Sequence, residues 1–208
     1  MEYDPKTALI VVDVQNDFAD PEGSLYVSGG GDVVPLINQE IRLASAAGSM
    51  VVYTQDWHPE STPHFAQFGG IWPVHCVGDT WGADFHPQLE VVGPSVKKGI
   101  GGEDGYSGFT VRDPLTGQES ATELAGLLRE SGIERVLVVG LALDYCVKDT
   151  ALDAVSADFA TSLLTQATRA VNLVAGDGER SLVELAAAGV TLSGPVADAG
   201  AADGSPPC

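Results

Sequence analysis

Positive charge is scarce in this chain. Among 208 residues only 10 are Lys or Arg, against 29 Asp and Glu, for a formal net charge of −19. A surface this acidic repels phosphate backbones and anionic lipids, which excludes nucleic-acid and membrane binding as main roles. Cysteine is also sparse, with Cys76, Cys146 and Cys208 alone. An odd count of three argues against a disulfide framework and for a reducing compartment, with the cytoplasm as the expected location. No apolar run approaches the ~20 residues that span a bilayer. The opening Met1-Glu2-Tyr3-Asp4 is acidic where a secretory signal would be basic. With 44% hydrophobic residues, the chain has what it needs for one domain with a real core. The oligomeric state is left open, a homo-oligomer included.

Short continuous apolar runs alternate with helical patterns. Ala8-Leu9-Ile10-Val11-Val12, Met50-Val51-Val52-Tyr53-Thr54 and Val136-Leu137-Val138-Val139 read as buried strands. Shorter strands are expected at Ser162-Leu163-Leu164, at Val190-Thr191-Leu192 and just before Lys97 and Lys98. Helical periodicity falls near 33–47, 121–131, 146–157 and 179–188. Continuous apolar strands separated by helices indicate a parallel sheet covered on both faces. The expectation is an α/β, three-layer doubly wound fold with about six parallel strands, in a domain over 1–194. The Ala-, Gly- and Pro-rich stretch 195–208 is expected to be a disordered tail. Residues 56–88 break the rhythm, being rich in Pro, His, Trp and Gly; so long an irregular segment is usually functional.

Active sites of open α/β sheets collect at the carboxyl ends of strands. Asp13, Asp56 and Lys98 all fall there, and Cys146 follows the 136–139 strand by a short loop. Although 133 residues apart, Asp13 and Cys146 can meet at one sheet edge. A Cys where a helix begins gains free N–H groups and partial positive charge, which favour a thiolate and can hold an oxyanion. The plainer reading is a small buried hydrophobe. Asp13 is either the proton acceptor of a thiol or a turn cap, and Lys98 either its charge partner or a solvated lysine. Asp56, His58, His64 and His75 have the spacing D-x-H-x5-H-x10-H. Imidazoles with one carboxylate suit Zn, Fe or Mn and disfavour Ca and Mg; the alternative is unrelated surface histidines. His86 reads as a structural or capping residue and Cys76 as packing. Gly29-Gly30-Gly31 reads as a turn, since no Gly-rich phosphate fingerprint follows the first strand.

Longer motifs carry a resemblance. Ile10-Val11-Val12-Asp13-Val14-Gln15-Asn16-Asp17-Phe18 resembles the opening motif of the isochorismatase-like cysteine hydrolases, and Val139-Gly140-Leu141-Ala142 through Cys146-Val147 resembles their nucleophile motif. Lys98-Gly99 with Tyr106-Ser107-Gly108-Phe109 resembles their lysine segment. Asp56-Trp57-His58-Pro59, His64, Trp72-Pro73-Val74-His75-Cys76-Val77 and Gly82-Ala83-Asp84-Phe85-His86-Pro87 are similar to segments of the nicotinamidase (pyrazinamidase) branch. The resemblance implies a triad of Asp13, Lys98 and Cys146, with a cis Leu141–Ala142 peptide and oxyanion donors at the N–H groups of Ala142 and Cys146. It also implies one divalent transition metal on Asp56, His58, His64 and His75. The substrate would be a small aromatic amide, foremost nicotinamide, flanked by Phe18 and Trp72, with Tyr106 a further candidate. Other readings are an N-carbamoyl amidase or isochorismatase of the same superfamily, a hydrolase using metal-bound hydroxide, and a non-catalytic metal- or nucleotide-binding protein.

Overall fold

The computed structural model describes residues 2–194. The expected tail at 195–208, with Cys208, lies outside the described residues. Six strands form one sheet in the order β3-β2-β1-β6-β7-β8. They are β1 (Thr7–Val12), β2 (Met50–Asp56), β3 (Ser95–Lys98), β6 (Arg135–Leu141), β7 (Ala160–Arg169) and β8 (Thr191–Ser193). Every neighbouring pair in this sheet is parallel, as expected. All six residues of β1 are buried, because both sheet faces are covered. Leu9 and Val11 enter the core on one face, and Ala8, Ile10 and Val12 the core on the other.

The helices are α1 (Asn16–Ala19), α2 (Val34–Ala46), α3 (Leu124–Glu130), α4 (Lys148–Ser156) and α5 (Asp177–Ala187). In α2 the buried residues Val34, Ile37, Ile41 and Ala44 make one stripe, and Pro35 occupies the first turn, where no N–H is needed. Among the described residues, no helix is long and apolar enough to cross a membrane.

Strand order turns outward in both directions from the β1–β6 pair. Asp13 closes β1, and the loop after β6 begins beside it, at the switch point where α/β sheets open a crevice. Gly140 lets these strands approach: its φ is +116°, and a Cβ there would lie 2.1 Å from the Val12 carbonyl oxygen.

Two elements escaped the sequence reading. One is α1, a single turn. The other is an antiparallel hairpin of β4 (Thr110–Arg112) and β5 (Glu119–Ala121). Its strands are short and largely exposed, so they carry no apolar pattern. Its turn is closed by Asp113 Oδ1, which accepts the N–H groups of Leu115 at 2.9 Å and Thr116 at 2.8 Å. The 56–88 segment is irregular as expected, apart from the end of β2 at Asp56, two short 3-10 turns and isolated bridges.

Candidate active site

Lys98 is the hub of the site. It pairs across the sheet with Asp56, and alternation along β3 turns Lys98 inward and Lys97 outward, over the Trp57 ring. The Lys98 ammonium lies 2.7 Å from Asp13 Oδ2. It also donates to Asp56 Oδ1 and to the Gly105 carbonyl, and it sits 3.6 Å from Cys146 Sγ. Asp13 is fully buried and has a φ of +48°. Its other oxygen accepts the Thr54 hydroxyl at 2.6 Å. Carboxylate oxygens of Asp13 and Asp56 and the Cys146 sulfur lie within 4.8 Å of one another. The three residues expected to form a triad are therefore brought together.

Burial pushes the Asp13 carboxyl above the ordinary carboxylate range, with the Asp56 charge adding to it and Lys98 opposing. Asp56 moves the other way: burial would raise it, but Lys98, His58 and His75 together hold it low. Burial would lower Lys98, yet the two carboxylates keep it firmly protonated. Burial pushes the Cys146 thiol well up, and Lys98 only partly offsets this against Asp13 and Asp56. This corrects the expectation of an acidified thiol at a helix start. Cys146 lies inside a π-helical turn, Leu143–Val147, that leads into α4, and it is 7% exposed.

Asp56 Oδ2 faces away from Lys98, toward His58 Nε2 at 3.9 Å and His75 Nε2 at 3.8 Å. Donor atoms of His58, His64 and His75 lie within 4.8 Å of one another, and all three rings are buried. The residues fit a metal ion. Both ring nitrogens of His58 are buried without a hydrogen-bond partner, a state that costs about 1–3 kcal/mol per group if left unmet. His64 Nδ1 is held by Asp104 at 2.7 Å and His75 Nδ1 by the Pro73 carbonyl at 2.8 Å, which leaves their Nε2 atoms as ligands. Burial pushes His75 down to about 4, so its imidazole is neutral at pH 7. The Asp13, Asp56 and Cys146 group, though equally compact, is already filled by the Lys98 ammonium.

A cleft beside Cys146 is lined by Phe18, Trp72, Tyr106, Tyr145, Ala142 and His75. Trp72 Nε1 donates to the Tyr106 hydroxyl at 2.7 Å, and Tyr145 meets the Trp72 ring edge-on at 4.9 Å. The Leu141–Ala142 peptide is cis. His86 Nδ1 accepts the Gln88 N–H at 3.3 Å, a capping contact, and Cys76 is packed in the core. Sequence reasoning missed Thr54, Gln15, Asp104, Gly105 and Tyr145. Thr54 had a signal, since it lies two residues before Asp56 on the same strand face. Gln15 had none: its amide accepts the Asp56 N–H and donates to the Asp56 and Ala83 carbonyls, contacts that exist only in the folded chain.

The nicotinamidase of Escherichia coli is 35% identical over 206 residues, covering 90% of this chain and 94% of that protein. The pyrazinamidase of Pyrococcus horikoshii, solved in complex with zinc, is 38% identical with a TM-score of 0.80, covering 91% of this chain and 99% of that one. PnC1 from L. infantum, solved in complex with nicotinate, is 37% identical with a TM-score of 0.83, covering 93% and 95%. Residues 7–194 match the Isochorismatase domain, and the chain belongs to that family.

Proposed function

We propose that this protein hydrolyses nicotinamide to nicotinate and ammonia through a thioester on Cys146, in NAD salvage. The observation that carries the reading is the Lys98 ammonium between Asp13, Asp56 and Cys146, with the imidazole cluster on the far side of Asp56. The E. coli relative's activity and the nicotinate in the L. infantum structure support this substrate.

Asp13 accepts the thiol proton as Cys146 Sγ bonds to the carboxamide carbon. Lys98 stabilises the charge on the acceptor and sulfur. The N–H groups of Ala142 and Cys146 hold the oxyanion. The C–N bond then breaks, and protonated Asp13 gives its proton to the departing nitrogen, which leaves as ammonia. Water adds to the thioester with Asp13 again taking a proton, and the C–S bond breaks to release nicotinate and restore the thiol. Phe18 and Trp72 flank the ring, with Tyr106 braced against Trp72. Asp56, His58, His64 and His75 would hold one divalent transition metal; zinc is favoured by the P. horikoshii structure, with Fe or Mn compatible with the same donors. When bound, it supplies a Lewis-acidic anchor for the pyridine nitrogen. The contact of Lys98 with Cys146 favours this reading over a metal-hydroxide hydrolase, which would need no thiol.

The test is ammonia release from nicotinamide. Cys146→Ala is expected to reduce it to background, and acid-quenched wild type is expected to carry a nicotinoyl group on the Cys146 peptide. Full activity in the variant overturns the reading.

A further inference from the structure

Three consecutive residues each reach a different part of the site. The Asp104 carboxylate meets His64, the Gly105 carbonyl accepts Lys98, and the Tyr106 hydroxyl accepts Trp72 Nε1. The latter two contacts serve groups already assigned. Asp104 has no role in the reaction as written, yet its side chain is only 11% exposed.

We propose that Asp104 is a positioning residue for metal binding, holding His64 with Nδ1 protonated and Nε2 turned toward His58 and His75. This rests on the metal reading given above. His64 comes from the irregular part of the 56–88 segment, with no strand beneath it. Its backbone N–H reaches only the Thr62 hydroxyl, at 3.2 Å. The ring stacks on His58 at 4.7 Å, but a half-turn about its Cβ–Cγ bond would leave the ring plane unchanged, so a hydrogen-bond partner is needed to set which nitrogen faces the cluster. Asp104 is itself braced. Its backbone exchanges two hydrogen bonds with Arg112 of β4, at 2.7 and 3.0 Å, and the Arg112 guanidinium lies 3.3 Å from Asp104 Oδ2. The carboxylate is thus built into the base of the β4–β5 hairpin. His75 has a neutral carbonyl as its partner, whereas His64 has a charged one. A carboxylate fixes the tautomer and also strengthens the other nitrogen as a donor. An ion pair with Arg112 alone does not account for Asp104, because the Arg112 side chain is 55% exposed and such pairs contribute little.

The test is a double-mutant cycle on zinc affinity. Full-length protein is stripped with chelator and titrated with Zn²⁺ against a competing indicator, as wild type, Asp104→Ala, His64→Ala and the double variant. Asp104→Ala is expected to weaken zinc binding about 10–100-fold. In the His64→Ala background the same change should add nothing, because the residue it positions is gone. Zinc affinity within twofold of wild type overturns the proposal. So does an equal loss in both backgrounds, which would mark a general structural role. If Asp104→Ala does not fold, Asp104→Asn gives the same cycle; it keeps an acceptor and loses the charge, so a several-fold loss is expected. Wild type that holds no zinc overturns the metal reading itself, a result distinct from either of these.

Discussion

Replacing Lys98 by Met tests the electrostatic core of the site. The substitution keeps the side chain out to Cε and removes the charged terminal nitrogen. Asp13 and Asp56 then face each other across at most 4.8 Å, fully buried, with no cation between them. At an effective dielectric constant of about 20, two charges at that distance repel by roughly 3.5 kcal/mol. That is enough to keep one of the two carboxyls protonated well above the ordinary carboxylate range. Removing one partner of a buried ion pair commonly costs about 3–5 kcal/mol. For a chain of this size each kcal/mol moves Tm by about 2–4 °C, so a loss of roughly 6–20 °C is expected at pH 8.

The deficit should depend on pH, with a definite sign. In the variant, the folded state binds a proton more tightly than the unfolded chain does. Such a group stabilises the fold as pH falls and costs stability as pH rises through its raised folded value. In the wild type Asp56 is held low and stays ionised across this window, so only Asp13 contributes there, and Lys98 limits its rise. The Tm gap between variant and wild type, both chelator-treated, should therefore be smaller at pH 5 than at pH 8. Ammonia release at pH 7 should fall about 10²–10⁴-fold as the acceptor is lost. A gap under 2 °C at both pH values, or one that narrows as pH rises, would refute the reasoning.

Two further outcomes follow from side-chain geometry. Gly99 has a φ of +82°, and a Cβ there would lie 2.6 Å from His58 Cε1 and Nδ1. Gly99→Ala should cost about 1–3 kcal/mol from backbone strain and displace His58. Melting temperature and zinc affinity should both drop, and an unchanged zinc titration would show that His58 does not need that space. Because burial holds the Cys146 thiol protonated, its alkylation by iodoacetamide, followed on the Cys146 peptide, should still accelerate above pH 9. A rate that levels off below pH 8 would mean a standing thiolate.

The middle of the sheet was legible because β1, β2 and β6 are buried on two faces, and that leaves a continuous apolar run. Ala8 to Val12 and Val136 to Val139 announce themselves this way. β7 read as only three residues because its buried positions include Thr161, Ser162, Thr165 and Thr168, which look like loop residues in sequence. The hairpin of β4 and β5 carried no periodic signal, since neither strand packs in the core. Site residues divided along a similar line. Those at strand ends, Asp13, Asp56 and Lys98, were found by position, and Cys146 by its place after β6. Asp104 was not, because its meaning depends on a hydrogen bond across 40 residues to a loop histidine. Asp56 was read as a metal ligand alone, whereas its two oxygens face different neighbours, Lys98 on one side and the imidazoles on the other.

The protonation state of Cys146 shows how magnitudes decide between two sound expectations. A helix start favours a thiolate by about 0.3–1 kcal/mol, and up to ~2 in partly buried settings. Taking an ion out of water costs several kcal/mol, and Cys146 is among buried neighbours with two carboxylates within 4.8 Å. One ammonium at 3.6 Å does not reverse that sum, so the thiol keeps its proton. The same burial raises Asp13. Donor and acceptor are therefore shifted in the same direction, so the rise of the carboxyl offsets part of the rise of the thiol when the proton moves from sulfur to carboxylate. In the proposed mechanism, nucleophilicity then arises as the carbon–sulfur bond forms, with Lys98 beside both partners of the transfer. On that mechanism the resting thiol reacts slowly with adventitious electrophiles, and Asp13 is the acceptor that takes its proton when substrate is attacked.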